Sequence, residues 1–285
     1  MYRKIPYLIL ILMLSGCSTV NRSALNKMCR SSVTETSQLG ICVYDLTADK
    51  MLYTHNPGQL MRPASCMKLL TTITALDLLG SSYTFTPHVD KAGQGWCWDD
   101  SETRTVPYRD TCQWTLSDIL KPVLKNSDNL KAESIFRQLD RDGDTAFSQK
   151  EAAESIRRMI KKCGFDPNKY RIADGSGLSL YNYVSPELIV GALYYAWHTP
   201  AIKKELLESL PIAGVDGTLA KRMKGTKAQG NVHAKTGTVT GITSLSGYCT
   251  AHNGHHLAFS IINQGILQSS KGRTFQDTFC ERLCK

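Results

Sequence analysis

Strand patterns at both ends of the chain, with helical patterns between them, place the strongest constraint on its fold. Residues 40–46 alternate apolar and polar side chains like a β-strand, and residues 50–53 predict a second strand after a short turn. Three more strands are predicted late in the chain, at residues 231–236, 243–250 and 257–262. Helical periodicity is found at residues 67–79, 116–124, 130–139, 148–163, 185–198 and 269–283. This order predicts an α+β/α-β fold, in which an antiparallel sheet from both chain ends is flanked by helices and carries an inserted helical subdomain.

The composition is that of a globular protein with one large unit or two closely associated ones. Hydrophobic residues make up 42% of the chain and charged residues 21%, both ordinary values. We expect a sheet-containing subdomain from residues 39–80 and 205–285, and a helical subdomain from residues 81–204. The net charge of +9 comes from scattered basic residues with one local cluster at residues 221–227, and no nucleic-acid-binding motif is present. Such a field suits an anionic envelope or a substrate carboxylate, although a solvated basic surface explains the same charge.

The first residues resemble a bacterial export signal. Arg3 and Lys4 precede an apolar run at residues 7–14, which is too short to span a bilayer as a stable helix. The run ends in Leu-Ser-Gly-Cys at residues 14–17, a string that resembles a bacterial lipobox. The chain is therefore expected to be exported.

The lipobox-like string predicts that Cys17 becomes the lipidated first residue of the mature chain. Residues 1–16 are then a lipoprotein signal peptide and residues 17–38 a tether. Because several acyl chains hold a protein firmly on a membrane, we expect a lipid-anchored protein on the periplasmic or extracytoplasmic side of a bacterial cell envelope. The alternative is an ordinary signal peptide cleaved near Gly16, which leaves Cys17 as a plain thiol.

The ten cysteines of the chain are many for a cytosolic enzyme and acceptable for an exported one. Cys97 and Cys112 bracket a loop and are the best local candidates for a disulfide. A bridge from Cys29 to Cys280 or Cys284, near the end of the chain, is a second candidate. The irregular segment 91–114 also holds three tryptophans, and it is either an aromatic wall beside a cleft or a small satellite core.

One acidic segment resembles a calcium-binding loop. Asp140, Asp142, Asp144 and Glu151 fall at ligand positions of an EF-hand, but the glycine that such a loop needs at its sixth position is missing. Glu151 also lies three residues after Ser148, which predicts a capping box at a helix start. We therefore predict no metal site and keep calcium binding as the alternative.

Three short strings supply residues for a catalytic cleft, namely Ser65-Cys66-Met67-Lys68, Ser127-Asp128-Asn129 and Lys235-Thr236-Gly237. A serine hydroxyl becomes a good nucleophile only when a base takes its proton. On a helix, Lys68 lies on the same face as Ser65, about one turn away. Its amine can act as that base if its pKa is lowered by burial and by a nearby positive charge, for which Lys235 is the candidate.

Other residues of the strings have expected roles in proton transfer and substrate binding. Ser127 can relay a proton between the lysines and the leaving group, and Asn129 can hydrogen-bond the substrate's amide. Lys235 and Thr236 can hold a substrate carboxylate at a strand edge.

The end of the third string is expected to shape the strand edge and the oxyanion site. Gly237 keeps the edge bare, so that a peptide can lie against it as an added strand. The backbone N–H groups of Ser65 and Thr238 are the expected oxyanion donors. Each string alone also fits a structural role: a helix N-cap, a helix-capping turn, or a strand end with a turn glycine. Their occurrence together, in this order and in an exported chain, favours a catalytic cleft.

The three strings resemble those of serine β-lactamases and penicillin-binding proteins. Beyond the strings, the chain is similar to the D-alanyl-D-alanine carboxypeptidase/endopeptidase branch, the class C low-molecular-mass penicillin-binding proteins. The similarity covers residues 40–265, and the segments that carry it are 63–70, 127–133, 174–186, 213–223 and 234–238. Members of this family often carry two additional domains between the first and second strings. The interval here is too short for them, so the chain resembles a minimal form.

The resemblance implies a serine D-Ala-D-Ala carboxypeptidase that uses no metal or organic cofactor. Its partners are then peptidoglycan peptides ending in D-Ala-D-Ala, which acylate Ser65 and release D-alanine before the acyl-enzyme is hydrolysed. The resemblance also implies possible cleavage of peptide cross-links, as in a DD-endopeptidase, and covalent inhibition by β-lactams.

Two other functions compete with this interpretation. A class A β-lactamase uses the same strings but needs a further glutamate that positions a water, and no Glu-x-x-Leu-Asn-type string lies between Asn129 and Lys235. Glu187 stands in a Ser-Pro-Glu helix start, which is the peptidase pattern. A non-catalytic envelope-binding lipoprotein is the other alternative, and the intact Ser65 and Lys68 argue against it.

Overall fold

Strands from both ends of the chain meet in one sheet. The computed structural model describes residues 22–30, 37–85, 88–89, 95–99, 102–107, 114–140 and 147–285. The strands are β1 (Gln38–Asp45), β2 (Lys50–His55), β3 (His88–Val89), β4 (Gly95–Asp99), β5 (Glu102–Pro107), β6 (His233–Val239), β7 (Ile242–Thr250) and β8 (His256–Gln264). The helices are α1 (Arg22–Met28), α2 (Met67–Leu79), α3 (Leu116–Lys125), α4 (Asn129–Gln138), α5 (Gln149–Lys162), α6 (Pro186–His198), α7 (Pro200–Ser209) and α8 (Ser269–Leu283).

The main sheet has five antiparallel strands in the order β2-β1-β8-β7-β6. Ile41 of β1 pairs with Ile261 of β8, so the first strand of the sheet lies beside the last. β6 is an edge strand of this sheet. The predicted fold class is confirmed.

The central strands are buried on both faces because helices cover both sides of the sheet. β1, β7 and β8 are buried along nearly their whole length. One core includes residues of α2 to α7, and a second core includes residues of α1 and α8. β8 has a largely apolar sequence, as expected of a strand covered on both faces, whereas β7 also buries the small polar residues Thr243, Ser244 and Ser246.

Helix α2 is buried on every side. Its residues from Met67 to Leu76 are all buried, because α4, α5, α6 and α7 pack around it. A helix that is apolar all round belongs in the middle of a protein, where few of its residues meet water. It ends at Gly80, which has a φ of 80° that glycine adopts without strain. The start of this central helix therefore has a fixed position against the sheet.

Two elements differ from the sequence-based expectation. Residues 91–114 were expected to be irregular, but β3, β4 and β5 form a three-stranded antiparallel sheet there. The β-branched residues of β5 support a strand that the surrounding cysteines and tryptophans obscure. Helix α7 was not predicted, because Thr199-Pro200 resembles a helix stop; Pro200 instead occupies the first turn of the new helix, where its missing N–H has no cost.

The region before β1 contributes to the core. Helix α1 lies within the predicted tether, and its Leu25 is buried in the second core. Cys17 and the predicted signal peptide lie outside the described residues. No helix in the described parts of the chain is long and apolar enough to cross a membrane. The division of the chain into subdomains stays a prediction.

The cysteine and calcium predictions have different outcomes. Cys280 and Cys284 are buried free thiols in α8 and directly after it, so the predicted bridge from Cys29 to one of them is wrong. The sulfur of Cys29 instead contacts the Tyr53 hydroxyl at 3.3 Å. The predicted Cys97–Cys112 pair lies outside the side chains that the structure describes.

The acidic segment before α5 is only partly described. Ser148 Oγ accepts a hydrogen bond from the Glu151 N–H at 3.3 Å and so caps α5, but the predicted capping box is incomplete because the Ser148 N–H does not donate to Glu151. Asp140 Oδ2 accepts from the Ser148 N–H, while Asp142 and Asp144 lie outside the described residues. Within the described part of the chain, no group of three or more His, Cys, Asp or Glu side chains could hold a metal ion. Calcium binding by this segment stays untested.

Candidate active site

The predicted nucleophile lies at the start of α2. Ser65 is in a short 3₁₀ turn, Ala64–Cys66, that continues directly into the helix. Lys68 Nζ lies 3.0 Å from Ser65 Oγ, as their spacing of one turn predicts. Ala64 has a φ of 47°, a left-handed conformation that is strained for a residue other than glycine. Such strain is found where the surrounding structure forces a geometry, and here it sets the direction of Ser65.

The Lys68 amine is buried and has three acceptors. It lies 2.7 Å from Asn129 Oδ1, 2.8 Å from the Ser176 carbonyl oxygen and 3.0 Å from Ser65 Oγ. Burial lowers the pKa of Lys68 to about 8, although the nearby carboxylates of Asp174 and Glu133 act in the opposite direction. A large fraction of this amine is therefore neutral near pH 8 and can accept a proton.

A second buried lysine lies on the other side of the cleft. Lys235 Nζ donates to Ser127 Oγ at 2.9 Å and to the Thr236 carbonyl oxygen at 2.7 Å. Burial, and after it the charge of Lys68, lowers the pKa of Lys235 to about 7. The expectation that the charge of Lys235 lowers the pKa of Lys68 is wrong: burial lowers the pKa of Lys68, and the effect between the two charges acts in the opposite direction, from Lys68 on Lys235.

The second string is both a helix cap and part of the cleft. Asp128 Oδ1 accepts from the Lys131 N–H at 3.0 Å and so forms the N-cap of α4. Ser127 has a φ of 61°, which turns the chain sharply before the helix. The side chains of Ser127 and Asn129 thereby meet Lys235 and Lys68 respectively. The capping role and the cleft role coexist in adjacent residues.

Gly237 is needed for packing against the nucleophile. A Cβ on this residue would lie 2.2 Å from Ser244 Oγ, 2.8 Å from the Pro63 carbonyl oxygen and 3.0 Å from Ser65 N. The sequence-based explanation was that Gly237 keeps the strand edge bare. This explanation is wrong, because a side chain at this position would point toward the start of α2. The close approach brings β6 beside the Ser65 N–H, with the exposed Thr238 next along the strand.

A hydroxyl pair extends the cleft along β6. Thr236 Oγ1 and Thr218 Oγ1 are 2.8 Å apart, and Thr218 is exposed. Sequence reasoning assigned Thr236 to a substrate carboxylate and gave Thr218 no role. Thr218 lies in residues 213–223, one of the segments that carry the family resemblance. That resemblance was the available signal for a role of Thr218 in the site.

The segment around Ser176 is the main part of the site for which sequence reasoning gave no chemical role. Gly177 has a φ of 81°, and a Cβ on it would lie 1.8 Å from the Ala64 carbonyl oxygen. Only glycine allows this loop to touch the strained residue before Ser65. An open cleft of about 400 Å³ lies beside it, lined by Asn129, Leu130, Glu133, Asp174, Ser176, Leu178 and Ser179.

The structure thus brings five residues of the three strings together, and their arrangement is that of serine acyl transfer. They are Ser65, Lys68, Ser127, Asn129 and Lys235. A hydroxyl beside a buried amine that can act as its base, with a second lysine–serine pair opposite, is the arrangement of the active-site serine enzymes.

Comparison with known proteins narrows the class to a family. The D-Ala-D-Ala carboxypeptidase 3 (S13) family matches residues 22–102 and 112–284, and the chain belongs to this family. A D-alanyl-D-alanine carboxypeptidase of Actinomadura sp. (strain R39) is 37% identical over 173 residues, which is 59% of this chain and 31% of that protein. The D-alanyl-D-alanine carboxypeptidase DacB of Haemophilus influenzae is 35% identical over 153 residues, which is 50% of this chain and 30% of that protein. The chain therefore matches about a third of the length of these relatives.

Solved structures show the same fold at low identity. Penicillin binding protein 4 (dacB) from Haemophilus influenzae aligns with a TM-score of 0.75 at 17% identity, covering 93% of this chain and 100% of that chain. The TLA-3 extended-spectrum β-lactamase aligns with a TM-score of 0.66 at 17% identity, covering 92% of this chain and 96% of that chain. These similarities establish the fold that penicillin-binding proteins and serine β-lactamases share.

Proposed function

We propose that this protein is a serine D-Ala-D-Ala carboxypeptidase that acts on peptidoglycan stem peptides and is acylated by β-lactams. The observation that carries the proposal is the buried Lys68 amine 3.0 Å from Ser65 Oγ, in a chain of the S13 family. Its S13 relatives from Actinomadura and Haemophilus influenzae are named D-alanyl-D-alanine carboxypeptidases.

Acylation begins with proton transfer from the nucleophile. Ser65 Oγ attacks the carbonyl carbon of the penultimate D-alanine while its proton passes to Lys68 Nζ, which must be neutral to accept it. The resulting oxyanion is stabilised by the backbone N–H groups of Ser65 and Thr238. Gly237 allows β6 to approach Ser65 N closely enough for this arrangement.

Collapse of the tetrahedral intermediate breaks the bond to the terminal D-alanine. The leaving nitrogen takes a proton from Ser127 Oγ, which recovers one from protonated Lys68, so that Lys68 is neutral again for deacylation. Lys235 donates to Ser127 Oγ at 2.9 Å and orients this relay. Asn129 holds the substrate's amide, and the hydroxyl of Thr236 binds the terminal carboxylate together with Lys235. Water then hydrolyses the Ser65 ester and regenerates the serine.

The cleft favours slow hydrolysis of a β-lactam adduct over rapid turnover. Two carboxylates line the described cleft, Glu133 and Asp174, and both accept hydrogen bonds from backbone N–H groups of the 174–179 loop. A carboxylate whose oxygens accept these hydrogen bonds is held by the loop and has fewer lone pairs free for a deacylating water. This supports the peptidase over a β-lactamase.

The activity is tested by measuring D-alanine released from an N-acylated peptide that ends in D-Ala-D-Ala. We expect release by the wild-type protein and none by Ser65→Ala. Ser270→Ala, an exposed position on α8, is the matched control and should keep the wild-type rate. A Ser65→Ala variant that still releases D-alanine at the wild-type rate excludes the proposed nucleophile.

We also propose that Cys17 carries a lipid anchor that holds the protein in a bacterial cell envelope, on the periplasmic or extracytoplasmic side. The support is the Leu-Ser-Gly-Cys string after the apolar run. In a bacterial host supplied with labelled fatty acid, the wild-type protein should be labelled and sediment with membranes. Cys17→Ser should be unlabelled; equal labelling of both proteins excludes Cys17 as the site.

A further inference from the structure

Lys68 is held by two acceptors besides the nucleophile. One is the Asn129 side chain at 2.7 Å, and the other is the backbone carbonyl oxygen of Ser176 at 2.8 Å. A neutral amine has two N–H bonds and one lone pair. When the two N–H bonds point at Asn129 and Ser176, the lone pair is directed at Ser65 Oγ, which is the geometry that proton abstraction needs.

The same Ser176 residue is bound from its other side by Glu133. Glu133 Oε1 accepts from the Ser176 N–H at 2.8 Å, and Oε2 accepts from the Gly175 N–H at 3.4 Å. Both carboxylate oxygens therefore engage consecutive backbone N–H groups of one loop. Hydrogen bonds to an ionised carboxylate are stronger than neutral ones, so this contact fixes the loop firmly.

Glu133 also lies on the correct helix face to act together with Asn129. The two residues are four apart in α4, so their side chains project from the same side of the helix. Helix α4 thus positions both groups that accept hydrogen bonds from the Lys68 amine. It carries Asn129, which accepts directly, and Glu133, which holds the Ser176 backbone.

We propose that Glu133 is a positioning residue for the Lys68 base, which it orients by holding the Ser176 backbone. This inference rests on the proposed function, in which Lys68 takes the proton of Ser65. Glu133 touches no reacting atom; it acts through the peptide group of Ser176. The sequence gives this glutamate no role beyond its place in the family resemblance.

The loop has other anchors, which makes the proposal testable. Asp174 Oδ1 accepts from the Gly177 N–H at 2.8 Å, and Thr71 Oγ1 donates to the Gly175 carbonyl oxygen at 2.8 Å. Removal of the Glu133 carboxylate therefore leaves the fold supported. It frees the Ser176 peptide group to shift.

Charge provides an independent readout of the same contact. The groups that face Lys68 are Glu133 and Asp128 at the start of α4, Asp174 in the loop, Lys235 on β6 and the Cys66 thiol. The negative charge of Glu133 raises the pKa of Lys68 against the effect of burial. Its removal should therefore lower the pH at which Lys68 becomes neutral.

The experiment measures the second-order rate constant of acylation by a penicillin across pH for the wild type, Glu133→Gln and Glu133→Ala. We expect the plateau rate to fall about a hundredfold in Glu133→Ala, as a shift of the base by about 1 Å predicts, and less in Glu133→Gln. In both variants the rising limb should move to lower pH. Glu154→Gln on α5, an acidic residue outside the cleft, is the matched control and should match the wild type.

The outcomes separate this inference from the proposed function. If both Glu133 variants have the plateau rate of the wild type and the same position of the rising limb of the pH profile, the positioning role is overturned, while the acylation of Ser65 stands. If the variants have a lower plateau rate, an unchanged rising limb of the pH profile and a lower melting temperature, Glu133 has a purely structural role. This result also overturns the positioning role. If the wild-type protein itself is not acylated, the proposed function fails, and the inference fails with it.

Discussion

Burial determines the chemistry of the individual lysines in the cleft. Lys68 and Lys235 are fully buried, and a buried amine loses hydration that its charged form needs more than its neutral form. The pKa of both lysines therefore falls, to about 8 for Lys68 and about 7 for Lys235. One consequence is that a residue usually charged at neutral pH can serve as a base.

The rate of acylation should rise with pH, reach half of its plateau near pH 8 and level off about one pH unit higher, because only neutral Lys68 takes the proton of Ser65. The folded-state pKa of Lys68 lies below its ordinary value, so the active form appears at lower pH than in a free lysine. Stopped-flow measurement with a chromogenic β-lactam gives the profile. Lys68→Met should abolish acylation, whereas Lys161→Met, at an exposed site on α5, should leave the profile unchanged. A rate that falls as pH rises from about 6 to about 8 contradicts the base assignment.

At the scale of single residues, the sequence predicted the side chains of the site but not the backbone groups that bind them. It proposed that Ser65, Lys68 and Asn129 share one cleft, and the structure places them within hydrogen-bond distance. It could not find the Ser176 carbonyl, because every residue has one and no residue type marks it. The role of Glu133 was hidden for the same reason, since its partners are backbone N–H groups.

At the scale of elements, the start of α4 connects helix stability to the cleft. Asp128 caps the helix between Ser127 and Asn129, the two residues that meet the lysines. Ser127 has a positive φ, so the surrounding hydrogen bonds must hold it in a strained conformation. Loss of the cap should therefore disturb both neighbours.

Asp128→Ala should lower the free energy of unfolding by about 1 kcal/mol, since an unsatisfied helix N-terminus results. It should also slow acylation, because Ser127 and Asn129 lose their common support. Asp128→Asn keeps an oxygen that can accept from the Lys131 N–H and should retain most of both properties. Urea unfolding and acylation rates measure the two effects, and equal behaviour of the alanine and asparagine variants refutes the capping account.

Elements with one dominant periodic signal were predicted well, and those with competing signals were not. Helix α8 was predicted with its observed ends, Ser269–Leu283. Helix α7 was missed because its first-turn Pro200 resembles a stop signal, and only the packing of the neighbouring helix shows that the chain restarts. The small sheet of β3, β4 and β5 was missed because the surrounding cysteines and tryptophans obscure the β-branched pattern of β5.

For the whole molecule, the pairing of β1 with β8 joins the two chain ends into one cooperative sheet. The second core beneath α8 stabilises this sheet from the face opposite the core that includes α2. Phe279 is fully buried there and lies 5.9 Å from Tyr53, between ring centroids. The interval between the first two strings is too short for additional domains. The site is therefore positioned by this sheet and its helices.

Phe279→Ala should lower the free energy of unfolding by about 3–5 kcal/mol, because a large buried ring leaves a cavity. Below its unfolding transition, the variant should be acylated at the wild-type rate, since Phe279 does not belong to the core around α2. Leu267→Ala, at a fully exposed side chain, should change neither property. Thermal unfolding measures the stability of the variants, and an acylation assay measures their activity. Slow acylation of the folded Phe279→Ala variant contradicts the claim that the second core does not affect the site.

Intact-mass analysis of the protein incubated with a penicillin, alongside Ser65→Ala, tests the central claim most directly. The account predicts one penicilloyl adduct per wild-type molecule that persists over the time course, and no adduct on Ser65→Ala. An adduct on the variant, or none on the wild type, contradicts Ser65 as the acylated nucleophile. An adduct that forms and disappears with rapid penicillin turnover contradicts the peptidase and indicates a β-lactamase.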